Sequence, residues 1–194
     1  MSLIRTADPR RGTAAVEFAI LVPLLILFFV ATAELVIYAR AAFRLERTAA
    51  EVANVGSQLE SVATADVAGL FDAAKAIAAP VLAWSNGTAP GSARTVISVV
   101  ANTGNGNRVS WTCARGDSGL TAQVAGLAAL PNGFIVPSGQ SVLVVEVINA
   151  VTPWHIMAQS GPWFFGTIGP WPLRSYAILR PRTASLTTLS GACP

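Results

Sequence analysis

The sequence holds one histidine, one lysine and two cysteines in 194 residues, and only 12% of it is charged. His155 has no Cys, His or carboxylate companions at ligand spacing, which argues against a zinc or other metal centre. No cofactor is expected either, since no glycine-rich phosphate cradle and no internal repeat is present. Lysine is reduced to Lys75, so the cationic residues are otherwise all arginines. The net charge of +3 falls to +1 once residues 1–12, with Arg5, Arg10, Arg11 and Asp8, are set aside. That is too little for a nucleic-acid surface, and no nucleic-acid partner is expected.

Cys113 and Cys193 lie 80 residues apart in the polar part of the chain. In an oxidising compartment such a pair reads as one disulfide tying the C-terminal tail to the sheet, worth up to about 4.5 kcal/mol from loop-closure entropy alone. The alternative is two free thiols, one buried and one loose near the end.

What the chain has in abundance is one apolar run. Residues 13–33 contain 21 residues with a single charge, Glu17, and about 20 apolar residues suffice to cross a bilayer. A charge at membrane depth costs on the order of 3 kcal/mol, so Glu17 marks a functional site. The short flank with Arg5, Arg10 and Arg11 is the kind retained in the cytoplasm, which places the long polar remainder outside. Pro23 interrupts the run, and membrane helices absorb such a residue as a kink.

Helical periodicity continues past the apolar run. Leu35, Tyr38, Ala42, Leu45, Ala49, Val52, Val55, Leu59 and Val62 recur at three- and four-residue steps, with Arg40, Arg44, Arg47, Glu51 and Glu60 mostly on other faces. One helix over residues 13–62 would be about 75 Å long, and less than half of that fits in lipid. The spacing therefore divides the chain into residues 1–12 as a short cytoplasmic tail, 13–36 as a transmembrane helix, 37–62 as its amphipathic continuation and 63–194 as a head.

In the head, Asp66 is placed to cap a second helix with Val67, Leu70, Phe71, Ala74, Ile77, Ala78 and Val81 on one face. The remainder reads as sheet. Strands are expected over 95–101 and 108–114, joined by a hairpin turn at 102–107, and then over 141–151 and 174–182. Val109, Trp111 and Cys113 alternate with polar residues, as in a half-buried strand. The expected fold class is α+β: a long N-terminal helix packed on an antiparallel sheet of about four strands, with a second helix.

Arg11-Gly12-Thr13-Ala14-Ala15-Val16-Glu17-Phe18 resembles the processing site of type IV pilins and pseudopilins. Together with Val22-Pro23 and the basic strand 174–182, it is most similar to the TadE/TadF-like minor pilins of the tight adherence (Flp-type) system. The resemblance implies cleavage by a prepilin peptidase between Gly12 and Thr13, with Glu17 as the fifth residue of the mature chain. It further implies assembly contacts through Glu17 and Phe18, where the carboxylate neutralises a neighbouring subunit's new N-terminus. Other pilins, the inner-membrane assembly platform and the membrane are the implied partners. The implied location is the bacterial inner membrane, with a periplasmic head and incorporation into a surface pilus. Without a neighbour, Glu17 gains only from the helix dipole, about 0.3–1 kcal/mol.

Two rival readings and one enzymatic one compete with this. Ala31-Thr32-Ala33 has the small-x-small form of a signal peptidase site after a 13-residue apolar core, which would release a soluble domain starting at Glu34. The other rival is an envelope protein that stays anchored and unprocessed. Cys113-Ala114-Arg115-Gly116-Asp117-Ser118-Gly119 resembles the nucleophile segment of trypsin-like proteases, yet His155 lies downstream of Ser118. The order Ser118, Glu146, His155 lacks the G-x-S-x-G elbow of an α/β-hydrolase. No enzymatic activity is expected. Trp154, Trp163, Phe164, Phe165 and Trp171, among Gly and Pro residues, form either a partner surface or a self-packed loop.

Overall fold

Leu45, Ala49, Val52 and Ala53 are all fully buried, one stripe of a helix sunk into the head. In the computed structural model, which describes residues 10–79, 92–152 and 169–194 with side chains from Ala15 on, that stripe belongs to helix α1, Arg10–Gly56. At 1.5 Å per residue its 47 residues extend about 70 Å, with Pro23 inside the helix.

The helix stops short of Val62, contrary to the periodicity. Ser57 turns its hydroxyl onto the Asn54 carbonyl at 2.7 Å. The amides of Gln58 and Leu59 bond back three residues to Val55 and Gly56, a tightening typical of a helix end. Gly56 itself faces the sheet, where a Cβ would stand 2.6 Å from Leu143 Cδ2. Val62 and Ala63 instead form β1, which pairs in parallel with β6, Leu189–Ser190, an element the sequence did not signal.

Helix α2, Thr64–Ala78, buries Val67, Leu70, Phe71, Ala74 and Ala78. Its N-cap is Ala63 rather than Asp66. Asp66 sits at the third helical position and accepts the Ala63 amide at 2.8 Å, the reaching-back half of a capping box.

The antiparallel sheet has the order β3-β2-β4-β5, with β2 Ala93–Asn102, β3 Asn107–Gly116, β4 Gln140–Val151 and β5 Trp171–Leu179. The hairpin turn lies where Asn, Gly and Thr cluster: Asn102 Oδ1 accepts the amides of Gly104 and Gly106, and both glycines have positive φ. Strand β5 starts earlier than expected and ends at Leu179, leaving Arg180, Pro181 and Arg182 outside the ladder.

On one face of the sheet Ile97, Val99, Cys113, Leu143, Val145 and Val147 join α1 and α2 in the main core. Gly56 of α1 lies at Leu143, while Ala31 to Ala41 flank a groove shared with Val151 and Thr152. The helix thus runs antiparallel along β4. The lengths agree, since 18 helical residues and eight strand residues each span about 26 Å.

The sheet's second face is covered too, which the alternation in β3 and β4 did not reveal. Residues 117–139, irregular apart from a 3-10 turn at Pro131–Gly133, lay Val124, Ala125, Leu130 and Val136 over Val96, Val100, Val142 and Val144. A bulge between Val99 and Val100 shifts the register of β3, so Trp111 faces the helices whereas Val109 joins this second cluster.

Glu146 fastens the covering segment. Only 1% exposed, its carboxylate accepts the consecutive amides of Gln123, Val124 and Ala125 at 2.8–3.0 Å, and Arg174 Nη1 lies 3.8 Å away. Ser98 Oγ accepts the next amide, Gly126, at 2.8 Å. Three backbone donors that would otherwise be buried and unpaired converge on one charge. Glu146→Gln keeps the shape but turns an NH2 toward those donors. We expect it to cost about 2–4 kcal/mol and to accelerate amide exchange at residues 123–125 before exchange in α1, as read by hydrogen-exchange mass spectrometry.

Candidate functional site

Gly12 and Thr13 lie in the first turn of α1. Glu17 is exposed on the helix surface and forms no ion pair among the described residues. Beside it, Phe18 is 68% exposed, and Ile20, Leu21, Leu24, Leu25, Ile26, Leu27, Phe28 and Phe29 are exposed as well. Eight consecutive and near-consecutive large apolar residues cannot share one face of a helix. The rod is apolar all round, the pattern of a helix made for an apolar surrounding.

Its local chemistry suits that surrounding. Thr32 donates its hydroxyl to the Phe28 carbonyl at 2.8 Å, so this polar group is satisfied within the helix. The helix is long and apolar enough to cross a membrane. Burial begins at Glu34 and becomes regular from Ala41, where α1 enters the head. No helical break occurs between Ala33 and Glu34.

Cys113 and Cys193 are joined, with their Cα atoms 5.4 Å apart. The bond completes a strap made of the last residues. Trp111 Nε1 donates to the Leu186 carbonyl at 2.8 Å, Ser190 Oγ to that of Val62 at 3.0 Å, and Thr64 Oγ1 to that of Ala192 at 2.7 Å.

Of the aromatic surface residues, Trp171 opens β5 opposite Val151 and is 64% exposed. Trp154, Trp163, Phe164 and Phe165 lie outside the described residues, as does His155. Of the combination Ser118, Glu146 and His155, the histidine lies outside the described residues. Both oxygens of Glu146 are taken by backbone amides. Among the described residues no three His, Cys, Asp or Glu side chains are grouped to hold a metal.

Glu146 itself escaped the sequence reading as a structural residue. The available signal was a single carboxylate inside the apolar strand Val142-Leu143-Val144-Val145-Glu146-Val147-Ile148, a position that demands partners.

Beyond β5 the two-residue β6 is the only regular element among the described residues, so reduction of the disulfide loosens the last residues rather than the sheet. For the Cys113→Ser, Cys193→Ser double variant we expect a loss of about 2–4 kcal/mol in urea unfolding, with protease nicking first in residues 186–194.

Residues 12–54 match the family of TadE-like proteins. No curated protein and no solved structure matches the chain. The matched segment begins at the glycine that precedes the apolar rod and ends two residues before α1 does, so it coincides with the helix and leaves out the sheet. Along α1, then, the chain is similar to TadE-like proteins.

Proposed function

We propose that the chain is a minor pilin of the tight adherence system, inserted in the membrane through α1 and cleaved by a prepilin peptidase between Gly12 and Thr13. It acts in biogenesis or assembly of the pilus and performs no catalysis. The observation that carries this reading is the rod of α1, apolar on every side and marked close to its start by one carboxylate that is unpaired among the described residues.

Cleavage supplies the missing partner for that carboxylate. A new ammonium group at Thr13 lies within about 6 Å along the helix axis of Glu17. In a bundle of such helices the glutamate of one subunit pairs with the terminus of the next, offsetting the cost of placing either charge in an apolar medium. The pairing fixes how far one subunit is displaced along the bundle relative to its neighbour. The disulfide supports a head outside the cytoplasm, since such bonds persist in oxidising compartments. The arginine-rich flank supports the opposite location for residues 1–12.

Release by signal peptidase after Ala33 fits less well. It would sever α1 between the rod and the part buried in the head, at a site held in helix and next to the buried Glu34.

The mature chain purified from membranes should begin at Thr13 by N-terminal sequencing and intact mass. A start at Glu34 would establish secretion instead, and an intact leader would establish an unprocessed anchor. Glu17→Ala should leave membrane insertion unchanged and abolish pilus incorporation or function, read by fractionation and surface piliation assays. Normal piliation in that variant would sink the charge-pairing mechanism.

A further inference from the structure

At the pole of the head farthest from the rod, a polar pocket of about 200 Å³ lies between the start of β4 and the chain leaving β5. Gln140, Ser141, Arg180, Arg182, Thr183 and Ser185 line it, and no carboxylate does. Arg182 donates to Asn54 Oδ1 at 2.8 Å, a neutral acceptor that fixes the guanidinium without cancelling its charge. Neither Arg180 nor Arg182 is ion-paired among the described residues. Ser141 is only 3% exposed, and its Oγ is buried without a hydrogen-bond partner.

A buried hydroxyl left unpaired is a standing cost unless something else completes it. Two uncompensated guanidinium groups beside it specify what that something is. We propose that this pocket binds the oxyanion of a phosphate or carboxylate group. Arg180 and Arg182 give charge-assisted N–H donors, and Ser141 gives its hydroxyl proton. At about 200 Å³ the pocket has room for one anionic head group.

The site is independent of processing at Gly12. It is tested on the full-length chain in detergent micelles with 15N-labelled arginine, titrated with sodium phosphate, sodium acetate, or sodium chloride at matched ionic strength. The Nε–Hε resonances of Arg180 and Arg182 should shift saturably with phosphate or acetate and not with chloride. Stronger binding of phosphate identifies a phosphate-bearing ligand as the source, and stronger binding of acetate a carboxylate-bearing one. Arg180→Gln should weaken binding roughly tenfold, the loss of one charge-assisted bond, whereas Arg108→Gln on the exposed face of β3 should not. Ser141→Ala should also weaken binding while leaving thermal stability equal or higher, because the hydroxyl it removes is unpaired in the free protein. Shifts that follow ionic strength alone, or binding unaffected by Arg180→Gln, would overturn the proposal.

Discussion

Everything in this molecule is hung on the unbroken backbone ladder of α1. One hydrogen-bonded rod supplies two surfaces of opposite character: an apolar exterior from Val16 to Phe29, and a core stripe at Leu45, Ala49, Val52 and Ala53. A helix satisfies its own backbone, which is why the same element can serve in hydrocarbon and in a packed core without a change of geometry. It also means the head cannot be removed from the rod at an arbitrary point. The sheet's main apolar face is closed by the distal half of α1, together with α2, and that face would be bare without them.

The second constraint is that the sheet is buried on both sides. Ten consecutive residues of β4, Ser141 to Ala150, are buried, and a strand of that kind needs two covers. The helices provide one. The other is a segment with almost no regular structure, whose own amides must find acceptors, and Glu146 with Ser98 supplies them from the sheet. Gly116 opens that segment at positive φ, where a Cβ would collide with the Ala93 carbonyl, so the chain leaves β3 by a turn that L-residues do not favour. Polar residues in the sheet interior thus organise a loop.

Much of the architecture could be read from spacing. The helical period of α1, the Asn-Gly turn of the hairpin and the apolar runs of β2 and β4 are local signals, and local signals survive in sequence. The places where the reading slipped are set by distant contacts. The end of α1 is decided by Leu143 pressing against Gly56, the bulge in β3 by how Trp111 and Val109 divide between two cores, and β1 by a partner at Leu189. Gly12 and Glu17 stand out in the sequence because they belong to one contiguous pattern. The polar pocket was not, because Ser141 and Arg182 come from different strands' ends and meet only after folding.

The antiparallel alignment of α1 with β4 has a mechanical meaning. A tension applied to the rod and resisted at the pole of the head acts along the helix axis, so it loads the helix–sheet interface in shear. All the knobs from Leu45 to Val52 must slip together before any of them lets go, whereas a perpendicular pull would peel them one at a time. The covalent loop closed by Cys113 and Cys193 encloses β4 and β5, the two strands against which α1 rests, and limits how far that interface can unravel once it yields. Axial tension is thus the direction in which the contact between head and rod yields last.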